Sequence, residues 1–233
     1  SSFKANNPDE LYDAVKKIEW ESLIDFTGYF SVTSNVDNPT ITTPLFANLK
    51  VKDAIADRFL SLKGIRPDSG SDAHKTVVHL YWKDSEADIF IDTSGETLAK
   101  HGYRKIPGKA PMLEALAAGT ILASKWDGNS PFVNPMCGSG TIPIEAALIA
   151  RNIAPGVYRQ GYAFEKWKDF DSELFRSIYE DDSAEREFKH KIYGYDVDGR
   201  MVACARRNVK SAMMGDIVEI ECRDIKDFAE PAE

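Results

Sequence analysis

The octet Asn134-Pro135-Met136-Cys137-Gly138-Ser139-Gly140-Thr141 is the stretch of this chain best equipped for chemistry. Gly138 and Gly140 lack a Cβ, so the backbone there can turn sharply and come close to a ligand. Thr141 is placed to cap a following helix, whose first amide groups then face that ligand. Downstream, Asp196, with Val197 behind it, closes the apolar run Lys191-Ile192-Tyr193-Gly194-Tyr195. A carboxylate at the end of such a second strand can accept from the two hydroxyls of a ribose. Asp198 is the alternative for that role, or the cap of the next helix. The four histidines, His74, His79, His101 and His190, show no spacing for a metal site or a triad, and no metal is expected. Cys137 reads as a small packing residue rather than a nucleophile, since neither His nor Lys flanks it.

The elements around the octet are those of a nucleotide-binding α/β unit. Pro131-Phe132-Val133 can serve as a buried strand, and residues 142 to 150 form an apolar run of helical length. Strand, glycine turn and helix thus follow one another within about twenty residues. A P-loop would need Lys-Ser or Lys-Thr after its second glycine, where this chain has Thr141-Ile142. A dinucleotide fingerprint would need a third glycine, where it has Pro143. What remains is a loop suited to an uncharged or zwitterionic nucleoside, a description that S-adenosylmethionine fits. Gly140 and Asp196 lie much further apart than the usual ~20 residues. An insertion over residues 152 to 190 accounts for that. It carries the aromatic run Tyr158, Tyr162, Phe164 and Trp167, read as a satellite apolar cluster with base stacking as the alternative, and then a charged helix over 171 to 191. Residues 199 to 214 read as a helix and 217 to 222 as a third strand.

The first half has a different rhythm. A helix opens at Pro8, Gly28 to Thr33 alternates like a strand, and residues 35 to 44 are a polar loop. The helix over 45 to 62 ends at Gly64, a turn-rich loop spans 67 to 73, and residues 76 to 82 and 87 to 92 form a hairpin. Strand, helix, strand and strand fit an α+β domain with an antiparallel sheet. Residues 110 to 125 read as an alanine-rich helix leading into the strand before the octet.

The chain has 233 residues and a net charge of −8, which counts against a generic nucleic-acid binder; RNA contact would need a local basic patch. The most basic stretch runs from Lys100 to Lys109 without an acidic residue. There Tyr103 offers a stacking face, and Lys100, Arg104, Lys105 and Lys109 offer phosphate contacts, with a solvated linker as the other reading. Lys50 and Lys52 are either solvated helix-surface lysines or further RNA contacts. No apolar run has the length of a membrane span and no signal-peptide pattern opens the chain. Three isolated cysteines suit a reducing cytoplasm. The ends, Ser1-Ser2 and Pro231-Ala232-Glu233, suggest a piece of a longer protein.

Asn-Pro-Met-Cys-Gly-Ser-Gly-Thr-Ile-Pro-Ile-Glu-Ala-Ala over residues 134 to 147, followed by Ala154-Pro155-Gly156, resembles the adenosylmethionine motif of the THUMP-domain RNA guanine-N2 methyltransferases. It is most similar to the bacterial 23S rRNA (guanine-N2)-methyltransferase group. Leu49-Lys50-Val51-Lys52-Asp53-Ala54-Ile55, Ser94-Gly95-Glu96-Thr97-Leu98, Gly102-Tyr103-Arg104 and residues 110 to 118 (Ala-Pro-Met-Leu-Glu-Ala-Leu-Ala-Ala) resemble that family in the same order. Two positions depart from it: Asn134 stands where the family usually has Asp, and His101 where it often has Arg.

The resemblance implies an α/β protein. Residues 1 to 108 would be the C-terminal part of a THUMP-type, ferredoxin-like α+β RNA-binding domain. Residues 109 to 233 would be the first half of a Rossmann-like class I methyltransferase. S-adenosylmethionine would be held by Asn134, Met136, Cys137, Gly138, Ser139, Gly140, Thr141, Asp196 and Val197. Asp224 would accept from the adenine amino group, and Ile225 would pack on its ring; a loop acid capping the next turn is the other reading of Asp224. The parent would methylate the exocyclic N2 amine of a guanine in 23S rRNA. The family's Asn-Pro-Pro-Tyr turn is missing and the chain contains no Pro-Pro, so this piece is expected to be inactive alone. The alternatives are a non-catalytic RNA-binding module with a relic loop, and an adenine-N6 or DNA methylase. The match over residues 49 to 118 speaks against the latter.

Overall fold

Asn7 starts the first helix by accepting the Asp9 and Glu10 amides, and Pro8 supplies a preset φ at its first position. The computed structural model of the chain describes residues 1–72, 75–108 and 110–227. Two units emerge, Ser1–Glu96 with Gly161–Ser172, and Thr97–Gln160 with the chain from Glu173 onward.

The first unit contains β1 (Ser2–Lys4), α1 (Pro8–Lys16), β2 (Tyr29–Asp37), α2 (Pro44–Lys63), β3 (Asp68–Gly70), β4 (Thr76–Lys83) and β5 (Glu86–Ile91). Its sheet runs β1-β5-β4-β2-β3. The hairpin β4–β5 is antiparallel, but β2 pairs parallel with both β3 and β4, so the sheet is mixed rather than antiparallel. The reason is the crossover through α2, which returns the chain in the same direction. β2 also runs to Asp37, into the stretch expected to be a loop, because every residue from Phe30 onward finds a ladder partner on β4. β1 and β3 carry no periodicity of their own; pairing with a neighbour creates them.

The core joins Leu11 and Val15 of α1, Val51, Ile55 and Phe59 of α2, and Phe30, Leu80 and Trp82 of the sheet. Its two buried indoles are satisfied: Trp20 Nε1 donates to Val15 O at 2.8 Å and Trp82 Nε1 to Ala5 O at 3.0 Å. Segment 161–172 belongs to this unit, with Tyr162 stacked on Phe164 at 5.2 Å and Phe170 beside it, an apolar cluster of the kind expected for the insertion.

The second unit contains α3 (Glu114–Ala123), β6 (Phe132–Asn134), α4 (Thr141–Arg151), α5 (Ser172–Tyr179), β7 (Ile192–Asp196), α6 (Gly199–Ser211) and β8 (Val218–Cys222). Its three strands are all parallel, in the order β6-β7-β8. α5 is far shorter than the helix expected over 171 to 191, since none of its residues is buried and no packed apolar face supports a longer helix. α4 is apolar on nearly every side and lies in the core with Ile121, Ile192, Val202 and Ile220. Among the described residues no helix is long and apolar enough to cross a membrane.

Candidate cofactor site

Parallel strands joined by helices bring their carboxyl ends to one edge, and ligands bind in the crevice beyond that edge. Asn134, Asp196 and Cys222 end β6, β7 and β8 there. The Cys137 amide donates to Tyr195 O at 2.7 Å and the Arg223 amide to Asp196 O at 3.0 Å, so the loops beyond all three strands are tied to β7. The glycine loop, Asp196-Val197 and Asp224-Ile225 therefore line one edge, as their positions at the ends of successive strands implied.

Three apolar side chains stand in solvent here: Met136 is 70% exposed, Val197 69% and Ile225 49%. Side chains of this type left uncovered around a polar rim suit the faces of an adenine and a thioether. Gly138 has φ +55 and nothing within 4 Å of where a Cβ would stand, so the loop presents bare backbone to that space. Gly140, at φ +85, answers a different need: a Cβ would meet Ala205 Cβ at 3.1 Å, because the loop packs directly on α6. The residues present, a bare backbone loop, carboxylates and uncovered apolar side chains, fit S-adenosylmethionine in polarity.

Asp196 Oδ2 accepts from the Gly138 amide at 2.9 Å, and Oδ1 from the Asp198 amide at 2.9 Å. Asp198 itself caps α6 through the Arg200 amide. Asp224 Oδ1 accepts from the Lys226 amide at 2.9 Å, so it does cap the following turn. Asn134 Oδ1 accepts from the Met136 amide at 3.3 Å. A carboxylate could make the same bond, so the Asn keeps the loop's shape and removes only its charge.

Thr141 is not the cap expected of it. Gly140 holds the cap position, and the Thr141 hydroxyl is buried, accepting from Arg104 Nη2 at 2.8 Å. Ser139 is buried as well, and Cys137 has its thiol pushed up to about 12, first by burial and then by the nearby Asp196 charge. Such a thiol is no nucleophile near neutral pH.

The basic stretch is largely consumed by this unit's own interior. Tyr103 is 1% exposed, so its ring is closed to a base; its hydroxyl donates to Glu145 at 2.7 Å, and burial beside that carboxylate raises its pKa strongly. His101 Nδ1 meets the same Glu145 oxygen at 2.8 Å. Arg104 bonds Met112 O and Thr141 and pairs with Glu114, so its guanidinium holds α3 and α4 rather than a phosphate. Lys100 and Lys105 are exposed, and Lys109 lies outside the described residues. In the first unit, Lys50 is paired with Asp9 at 2.8 Å and Lys52 is half-buried.

Asn208 carries the site without any motif to announce it. It is 1% exposed, and its amide donates to Ser139 O at 2.9 Å and Ile106 O at 3.0 Å. Its Oδ1 accepts the Lys105 and Ile106 amides, both at 3.1 Å. One side chain thus fastens α6 to the glycine loop and to the segment before α3. A polar residue on the inward face of α6, where the pattern asks for an apolar one, was the signal. Among the described residues no group of three or more His, Cys, Asp or Glu stands together to hold a metal.

A parallel sheet whose glycine loop, strand-end acid and exposed apolar side chains share one edge defines a nucleoside-binding domain of the methyltransferase class. The chain belongs to the family described as RMKL-like, methyltransferase domain, which matches residues 101–233, and it carries a THUMP domain over residues 5–92. It is similar to the ribosomal RNA large subunit methyltransferase K/L of Psychromonas ingrahamii, at 38% identity over 239 residues, covering 100% of this chain and 32% of the relative. A crystal structure from Listeria monocytogenes, described as a predicted N6-adenine-specific DNA methylase, superposes with TM-score 0.88 at 32% identity. SMU.472, solved in complex with SAH, superposes with TM-score 0.87 at 31% identity. Both cover 100% of this chain and 62% of theirs. The chain therefore spans about a third of the curated relative and under two thirds of each solved chain.

Proposed function

We propose that this chain is the RNA-binding and cofactor-holding part of an enzyme that methylates the N2 amine of a guanine in 23S rRNA, using S-adenosylmethionine in the cytoplasm. The observation that carries the reading is the shared edge of β6, β7 and β8, with Gly138, Asp196 and Asp224 on it and the apolar Met136, Val197 and Ile225 between them. The cofactor supplies an activated methyl group. This chain's residues supply position, which governs a direct displacement of this kind. Asp196 accepts the ribose hydroxyls, Asp224 takes the adenine amine, and Val197 and Ile225 flank the ring. Bare backbone at Gly138 and the start of α4 face the remainder of the cofactor. Exposed Lys100 and Lys105 contact RNA phosphate, and the THUMP domain over residues 5–92 binds the same RNA.

An exocyclic amine needs a partner to hold it, and no Asn-Pro-Pro-Tyr turn exists among these 233 residues. The chain is therefore expected to bind S-adenosylhomocysteine without turning over RNA. Calorimetric titration and a tritiated-methyl assay on the same preparation test both halves. Absence of binding would remove the cofactor reading, and turnover by the chain alone would remove the inactivity. The description of the Listeria relative favours a second reading, methylation of an adenine N6 amine. Supplying the Psychromonas relative with guanine-free and adenine-free RNA substrates separates the two.

A further inference from the structure

In the stretch expected to grip RNA, Tyr103 is buried and Arg104 is spent on Thr141 and Glu114, and the chain carries a net charge of −8, so RNA binding calls for cations beyond Lys100 and Lys105. A groove of about 570 Å³ between α6 and β8 gathers them. Arg206 and Lys210 stand one turn apart on α6, and Arg151 enters from the end of α4. Arg206 is held across the groove by two bonds, Nε and Nη2 to Ile220 O at 2.9 and 2.8 Å. The Lys210 side chain is exposed, and its ammonium has no hydrogen bond or ion pair among the described residues. The acid in the groove, Asp216, is already neutralised by Arg151.

Of the apolar residues lining it, Val209 and Val218 belong to the core and are each 4% exposed, which leaves Met213 as the one that stands open in the groove. Met213 is 75% exposed and held at φ +53, a left-handed conformation that is uncommon for a side chain of its size. Cations beside an uncovered methionine match a nucleotide, which offers a charged phosphate and a flat base together. An acidic peptide would use the cations and leave Met213 idle.

We propose that this α6–β8 groove is an RNA subsite, taking a phosphate between Arg206 and Lys210 and a base against Met213. The inference rests on the RNA-methylation reading and adds a contact that the cofactor edge does not contain. Lys210 lies roughly 15 Å along α6 from the helix end nearest Asp196. The groove therefore grips RNA away from the reacting base and contributes affinity rather than chemistry.

The test uses the full chain and its Lys210→Glu and Met213→Ala variants, both altered at exposed positions. Fluorescence anisotropy follows a labelled oligouridylate and, in parallel, a labelled polyglutamate. The expected result is oligouridylate binding weakened roughly tenfold by Lys210→Glu, with the salt slope reduced by about 0.7 for the lost phosphate contact. Met213→Ala should weaken it several-fold without changing that slope. S-adenosylhomocysteine titration should be the same for all three proteins, which shows that the variants are folded. Unchanged oligouridylate affinity in both variants, beside a wild type that binds, would overturn the groove and leave the methylation reading standing. Polyglutamate bound as tightly as oligouridylate would overturn the nucleotide assignment. A wild type that binds no RNA while binding S-adenosylhomocysteine would overturn the groove and confine the chain's role to the cofactor.

Discussion

Asp196 Oδ2 lies 2.9 Å from the Gly138 amide and accepts its proton, so the acid at the end of β7 also shapes the glycine loop after β6. Removing the carboxylate therefore acts twice. Asp196→Ala is expected to weaken S-adenosylhomocysteine binding by about 1.5–3 kcal/mol, the range for hydrogen bonds to a charged group. Asp196→Asn, which keeps an acceptor oxygen for the Gly138 amide, should lose less. Calorimetry on the two variants checks the order; equal affinity for wild type and Asp196→Ala would discard the ribose assignment.

Asn208 makes four hydrogen bonds in a dry environment, to Ser139, Ile106 and Lys105. Asn208→Ala leaves those backbone groups unpaired and should destabilise the second unit by about 2–4 kcal/mol. Asn208→Asp keeps the acceptor for the two amides but turns the donor into a charge facing two carbonyls, so it should be no better. Urea unfolding followed by the near-ultraviolet signal of the aromatic residues measures both.

Cys137 should resist alkylation. Its thiol is pushed up to about 12, so the reactive thiolate is scarce at pH 8, and its sulfur is buried. Cys222 is exposed and should react first. Timed iodoacetamide labelling with mass spectrometry reads the order, and denaturant should abolish it. Rapid native labelling of Cys137 would mean that the loop opens.

The first unit carries an acid-sensitive pair. Arg58 Nη2 bonds Glu21 Oε1 at 2.5 Å and Nε bonds Oε2 at 2.7 Å, which lowers the Glu21 carboxyl to about 2. A lowered carboxyl contributes stability above its ordinary value of 4.5 and loses it as pH falls towards 2. Because the pair is partly exposed, the contribution is about 1 kcal/mol. Glu21→Gln should flatten the pH dependence of unfolding between those values and leave stability at pH 7 lower by that amount. A variant with the wild-type acid profile would assign the sensitivity to other groups.

Local signals were strongest where a single stretch holds all its own information. The octet, the run ending at Asp196 and the run before Asp224 were legible as the ends of parallel strands, because a βαβ unit carries its strand, turn and helix signals within one segment. α2 was legible from its apolar spacing and the terminating Gly64. β1 and β3 were not, since three-residue strands exist only through their partners. The basic stretch from Lys100 was legible as charge but not as surface, because burial is decided by what packs over it. Tyr103 and Arg104 found Glu145, Thr141 and Glu114, tens of residues away in part, at buried positions.

By itself the sequence determined most of the longer helices and strands, the order of the two domains and where three successive strands end, all of which follow from residue type and spacing along one segment. Only the tertiary structure decided which polar groups are spent inside the fold. Asn208 became a buried clamp, Thr141 an acceptor for Arg104, and Tyr103 a donor to Glu145. The physical reason is that a buried donor or acceptor must find a partner, and that partner is chosen by proximity in space, which no spacing along the chain encodes.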